Sequence, residues 1–394
     1  TGNVAIGWNA LTSMSGSAGG KYNTAVGYGS GDNVTTADSL VVIGASAGSA
    51  ITTGNDNTAV GYLALNQVET SGSNTAVGHW AGYHTMGNSN TYIGEGAGYS
   101  GASADHGSNN VAVGRGSMYY GDNINNSVAI GKNSLLYGNA NTTSTVAVGY
   151  LSGNYATGSN NTFVGSAAGQ GGTTSAPFSS GPNNTAVGAE ALTAFTTAED
   201  NTALGMYAGR ALTTGNSNTL LGNGAGDTMT ATSNTVLIGV GAGTAINHTD
   251  AGGTVAIGFQ AANALTSPAN NLAIGYQALK TNTTGHSNIA IGYGVMDDTD
   301  AGSNSLDSDH NVFIGNGAGS GTWTDAKSEY NTVVGNNAFA GALEAAVYNV
   351  GLGYRAGQSL TAGDSNVIIG GISGNNITSG LRNVVIGYNA ATTL

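Results

Sequence analysis

Apolar and polar positions along this chain alternate within a short phrase, Asn-(Thr/Val)-Ala-(Val/Ile)-Gly, that recurs 22 times, its glycine running from Gly7 to Gly387. Typical copies run from Asn57 to Gly61, Asn74 to Gly78, Asn201 to Gly205, Asn218 to Gly222 and Asn271 to Gly275. Eleven of the 21 glycine-to-glycine intervals are 17 residues, and the others run from 16 to 23. Self-similarity at such a period marks a solenoid or array, because each repeat is too small to bury its apolar face alone. The residue before the glycine is Val, Ile or Leu in every copy, and the residue two earlier is Val, Thr, Leu or Ile. Between them sits a usually small residue, Ala in 12 copies. Period-two alternation among β-branched residues predicts a strand and not a helix.

Three residues after the glycine stands Ala or Ser in 21 of 22 copies, which predicts a neighbouring backbone passing close by. The stretch up to the next Asn is polar, as in Thr213-Thr214-Gly215-Asn216-Ser217, and carries turn chemistry. One coil is therefore expected to be a short strand, a glycine bend, a second short strand and a polar return loop. Coils stacked in parallel at about 4.8 Å predict an all-β parallel β-solenoid of about 22 short coils, an elongated rod of order 100 Å. Residues 1–394 read as one continuous repeat domain. The stacked Val/Ile/Leu positions are expected to form the apolar ladder inside. Thr58, Thr75 and Thr91, which fall in consecutive coils, share that face, so an ice-binding array is less expected than an interior one. The motif Asn, present in 17 copies, is expected to form an amide ladder at the coil's corner, answering backbone groups that turns leave unpaired.

A coil this thin holds little more than one large apolar side chain per layer, so a lone rod buries little surface and lateral association is expected. That predicts a homo-oligomer, most simply a homotrimer packed along the rod axis. No cap is evident at either end, which predicts a piece of a longer polypeptide or a head-to-tail filament. The start at Thr1 reads as a processed form or a fragment.

Composition narrows the partners. With 67 Gly, only 3 Pro and 40% hydrophobic residues placed periodically, the chain reads as ordered and not collagenous. Its formal charge of −13 and eight scattered Lys and Arg exclude a nucleic-acid footprint. Cysteine is absent, removing disulfides and thiolate metal sites. No apolar run approaches the roughly 20 residues of a membrane span, so no membrane insertion is expected.

The phrase Asn-Ser-Val-Ala-Ile-Gly-Lys-Asn-Ser at 126 to 134 resembles the head repeat of trimeric autotransporter adhesins of the YadA type. The variants Asn-Thr-Phe-Val-Gly-Ser-Ala-Ala-Gly at 161 to 169 and Asn-Thr-Ala-Val-Gly-His-Trp-Ala-Gly at 74 to 82 are similar to repeats in long phage and marine viral tail fibres. The resemblance covers nearly the whole chain. It implies a left-handed parallel β-roll, usually trimeric, presented outside a cell, on a cell surface or on a virion.

Candidate chemistry is sparse. The densest acidic cluster holds Asp298, Asp300 and Asp309, which fall at positions 1, 3 and 12 of a calcium loop. Position 6 is Ser303 where that loop wants Gly, and position 12 is not Glu, so calcium and a solvated surface loop both stand as readings. The residue after the motif glycine is often aromatic. Tyr276 and Tyr293 are expected to stack one coil apart, as a platform for glycan rings or as packing between subunits. Acids do not recur in register and the six histidines show no metal spacing, so no enzyme and no resident cofactor are expected. The chain thus reads as a structural extracellular or virion fibre or filament subunit, with an adhesin gripping glycans or matrix protein as the alternative.

Overall fold

The computed structural model describes residues 2–391 apart from 15–18, 101–106, 176–177, 250–251, 268, 300–307 and 325. The chain divides into two compact units, Thr1–Ala198 and Glu199–Leu394. Each is a parallel β-solenoid of eleven three-residue strands, β1 (Val4–Ile6) to β11 (Thr185–Val187) in the first and β12 (Thr202–Leu204) to β22 (Val384–Ile386) in the second. Within each unit every strand pairs with the next in parallel and in register, Thr58 on Thr75, Ala59 on Ala76 and Val60 on Val77, or Ala256 on Ala273. The ladder bonds are short and regular: Thr58 N–H reaches Asn74 O and Gly61 N–H reaches Ile43 O, both at 2.8 Å. No α-helix occurs among the described residues, and none is long and apolar enough to cross a membrane.

The sense of the strand face is the reverse of the sequence expectation. In every strand but β1 the central residue is buried, while the two aliphatic or Thr residues flanking it are half-buried or exposed. Ala59, Ala76 and Ala273 point into the core; Val60, Val77 and Ile274 point out, with Thr58, Thr75 and Thr91 beside that outward column. The reason is room. A coil of about 17 residues cannot hold two facing rows of Val and Ile, so the small side chain goes in and the turn segment supplies the bulk.

That bulk arrives at two positions, four and seven residues after the motif glycine. Where the strand centre is Ala59, Ala129 or Ala273, the fourth residue is Leu65, Leu135 or Leu279, all fully buried. Where the centre is Tyr92, Phe163 or Phe313, the fourth residue is Gly98, Gly169 or Gly319, and a Cβ there would lie 2.3, 2.1 and 2.6 Å from the ring. In these six layers the large side chain comes from one position or the other, which holds their interior volume similar, whereas layers such as Ala147 with Gly153 and Ala203 with Gly209 have a small residue at both. The seventh position adds a second buried apolar group, as at Ile51, Val68, Leu212 and Leu265.

The segment after the glycine is a run of turns, correcting the expected second strand. Leu63 and Leu65 have φ of 58° and 47°, so left-handed residues alternate with right-handed ones and their curvatures cancel. The backbone then runs extended enough to bond both neighbours, Leu63 N–H to Ala45 O at 3.1 Å and Leu65 N–H to Ala81 O at 3.0 Å. The motif glycine begins that run. Gly61 has φ +138°, and a Cβ on it would lie 2.4 Å from Gly78 O; at Gly205 and Gly275 the same clash with the next coil's carbonyl is 2.5 and 2.1 Å. The requirement for glycine is therefore both a backbone angle and a backbone contact.

The amide ladder forms as expected. Asn57 Oδ1 accepts the Asn74 N–H at 3.0 Å, Asn74 Oδ1 accepts the Asn90 N–H at 3.0 Å, and Asn74 Nδ2 donates to Gly87 O at 3.1 Å. In the second unit Asn201 Oδ1 takes the Asn218 N–H at 3.0 Å and Asn271 Oδ1 the Asn288 N–H at 2.8 Å. These side chains are buried, so each satisfies groups that water does not reach. Ser127 Oγ substitutes for the amide oxygen, accepting the Thr145 N–H at 3.1 Å.

Candidate functional site

Because identical positions stack, any side chain placed just outside the turn becomes part of a column. Phe259, Tyr276 and Tyr293, each one residue after a motif glycine, form such a column. Their centroids are 5.2 and 4.9 Å apart with interplanar angles of 15° and 6°. Two parallel rings this close must overlap face to face, since rings lying side by side would collide at their edges. Tyr276 and Tyr293 therefore stand one coil apart as the sequence places them, stacked on one another and both exposed to solvent. A similar ladder, His310, Tyr330 and Tyr348, stacks at 5.0 and 5.1 Å just before the Asn corner.

The larger aromatic assembly lies in the first unit, five and six residues after the glycine. Tyr83, Tyr99 and Tyr119 stack at 5.5 and 4.6 Å, and Tyr120, Tyr137 and Tyr155 stack at 5.1 and 5.2 Å. The two stacks meet where Tyr119 and Tyr120 cross at 78°. Trp80 extends the first stack toward His79 and Tyr62, and Phe178 packs on Tyr137 at 4.9 Å. Partial burial, then the neighbouring phenols Tyr99 and Tyr120, then the Glu95 carboxylate raise the Tyr119 phenol above its ordinary 10.0. Burial first, with Tyr120 and Tyr155 adding, raises Tyr137 likewise. Both remain hydrogen-bond donors at neutral pH. A reading confined to the residue after the glycine misses this assembly. Its signal was the run of Tyr five or six residues after Gly78, Gly94, Gly114, Gly131 and Gly149.

Two clefts open beside these rings. One of about 540 Å³ is lined by Trp80, Glu95, Gly96, Arg115, Gly116, Tyr119, Tyr120, Lys132, Asn133, Leu136 and Tyr137. The other, about 380 Å³, shares Tyr120 and Tyr137 with it and continues past Asp122, Asn139 and Asn141 to Phe178. Both volumes fall in the range of roughly 300–1,000 Å³ typical of small-ligand sites.

Asp298 accepts from the Thr322 hydroxyl and Asp309 from the His286 N–H, while Asp300 lies outside the described residues. Among the described residues no group of three His, Cys, Asp or Glu side chains gathers around a point that a metal would occupy. Burial first, with Asp298 next door adding, raises the Asp297 carboxyl above its ordinary value, while its own backbone N–H and Lys280 act against that. Compared with known proteins, the chain matches no family model and no curated protein.

Proposed function

We propose that this chain is a structural subunit of a fibre or filament presented outside a cell or on a virion, and that copies associate side by side through the outward strand face. The observation that carries this is the composition of that face. Its two columns consist of Val, Ile, Leu and Thr alone, with no charge in any coil of either unit. Eleven coils at about 4.8 Å make a stripe roughly 50 Å long and, with columns about 7 Å apart, roughly 350 Å² of uncharged, largely apolar surface per unit. A contiguous patch of this size matches the largest, often functional, patch of about 300–600 Å² found on a typical monomer. Since the pattern repeats every coil, a second copy in the same register matches it along its length, and the resemblance to trimeric adhesin heads favours three copies. The role is mechanical: presentation and reach, with no chemistry required.

The test is sedimentation and electron microscopy of the purified chain, alone and with Val60→Lys plus Val77→Lys. The reading expects rods of several chains that fall to single chains in the double variant. A wild-type protein that stays a single chain at high concentration would sink it. A second reading, a fibre that also grips glycans, is favoured by the exposed rings and paired clefts of the first unit.

A further inference from the structure

We infer that the cleft between Trp80 and Asn133 is a binding site for an anionic saccharide, a pyranose carrying a carboxylate or a sulfate ester. The inference rests on the glycan reading and not on self-association. It starts from two missing side chains. The position two residues after the motif glycine is Trp80, then Gly96, then Gly116, then Asn133 in four consecutive coils. Neighbouring side chains lean into the space the two glycines leave, the Asn133 Oδ1 lying where it would be 2.7 Å from a Cβ on Gly116, and the cleft of about 540 Å³ opens beside them with Trp80 and Asn133 in its lining. The Tyr119 ring lies over Gly96 at a distance that would put a Cβ 2.7 Å from its Cε2, so the glycine is what admits the ring. Tyr99 covers one face of Tyr119, Tyr120 meets it edge-on, and the next residue of the Tyr119 column is Leu136, which lines the same cleft. Trp80, Tyr119, Tyr120 and Tyr137 line this cleft, and such rings supply the apolar surface on which the C–H groups of a sugar pack.

The opposite wall supplies charge. One residue after the glycine, the same coils carry Glu95, Arg115 and Lys132 in one column. Two of the eight basic residues of a chain with net charge −13 therefore stand one coil apart on one cleft. Arg115 Nε is held by Glu95 Oε2 at 3.2 Å, whereas Lys132 has no carboxylate within ion-pair distance among the described residues and lies 5.9 Å from the Tyr150 ring. The three charges sum to +1, which attracts an anion where the rest of the surface repels it. Glu95, Asn133 and the Tyr119 and Tyr120 phenols offer acceptors and donors for ring hydroxyls. Because the smaller cleft shares Tyr120 and Tyr137, an oligosaccharide has room to continue past the charged subsite.

The full chain is titrated with a tetrasaccharide of uronic acid, its neutral methyl ester and a sulfated tetrasaccharide, by calorimetry and by tryptophan fluorescence, with a chain carrying Trp8→Phe and Trp323→Phe used to isolate the Trp80 signal. Binding is expected for at least one anionic ligand, about tenfold or more tighter than for the ester, and the preferred anion identifies the source. Lys132→Met should weaken it by about tenfold. Gly116→Asn, which places in the cleft a residue that tolerates the left-handed angle as Asn133 does at φ 56°, should abolish it. Both variants should keep the wild-type circular dichroism and sedimentation, which separates failure of this site from failure of the fibre reading. The inference is overturned if neither anion binds better than the ester, or if both variants bind like the wild type.

Discussion

Asn74 is the clearest place to measure what the amide ladder contributes. Its Oδ1 accepts the Asn90 N–H at 3.0 Å and its Nδ2 donates to Gly87 O at 3.1 Å, with Asn74, Gly87 and Asn90 all buried. Asn74→Ala removes both partners at once and leaves a donor and an acceptor without water. An orphaned buried group costs about 1–3 kcal/mol, so the pair costs roughly 2–6 kcal/mol. Asn74→Ser keeps an acceptor where Ser127 Oγ already performs that task, 3.1 Å from the Thr145 N–H, and should cost about half as much. Urea unfolding reports the sum. Amide exchange at Asn90 reports the local part, since a solenoid's stability resides in interfaces between neighbouring coils. An alanine variant within about 0.5 kcal/mol of wild type, or a serine variant as damaging as alanine, would refute the argument that the ladder satisfies buried backbone.

The remaining expectations address the other repeated positions. Gly61→Ala meets both a φ of +138° and a carbonyl at 2.4 Å, and should cost roughly 3–5 kcal/mol in a thermal melt. Gly371→Ala is its control: the added Cβ finds only the Tyr388 ring at 3.4 Å, and the change should stay within about 0.5 kcal/mol. Phe163→Ala should cost about 3–5 kcal/mol by opening a cavity against Phe195, whose ring lies 5.5 Å away. Adding Gly169→Leu, which recreates the Ala59 and Leu65 pairing, should recover a large part of that loss, and a double variant no more stable than the single would refute the volume exchange. Asp297 has a folded-state pKa above its ordinary 3.8, so the folded chain binds its proton first as pH falls. Stability gained from this group therefore appears as pH drops through the folded value and is complete below the unfolded one. Asp297→Asn should raise neutral-pH stability and flatten that stretch of the urea-midpoint profile.

Much of the fold was legible because stacking multiplies a weak local signal. A three-residue strand such as Thr58–Val60 is undetectable alone, yet 22 aligned copies fix the strand, the glycine and the Asn corner together. The inside and outside of the strand were not legible in the same way. Alternation says that Ala59 and Val60 face opposite sides, and hydrophobicity favours Val as the buried one. The coil's volume overrides that preference, and volume depends on what Leu65 and Val68 bring back from the turn.

The candidate site divides similarly. Columns of Tyr276 over Tyr293 follow from register alone, because a position that repeats in sequence repeats in space. That the rings stack in parallel, 4.9 Å apart, is a finding of the structure. The meeting of Trp80, Tyr119, Lys132 and Asn133 depends on two bare glycines between them, and on Tyr119 leaning back over Gly96. By itself the sequence determined the parallel solenoid, its amide ladder and its glycine column, since these are periodic and each coil restates them. Only the tertiary structure decided which strand face is buried, how the turn segment bonds to its neighbours and where a cleft opens, because these rest on the volume and direction of side chains meeting between coils.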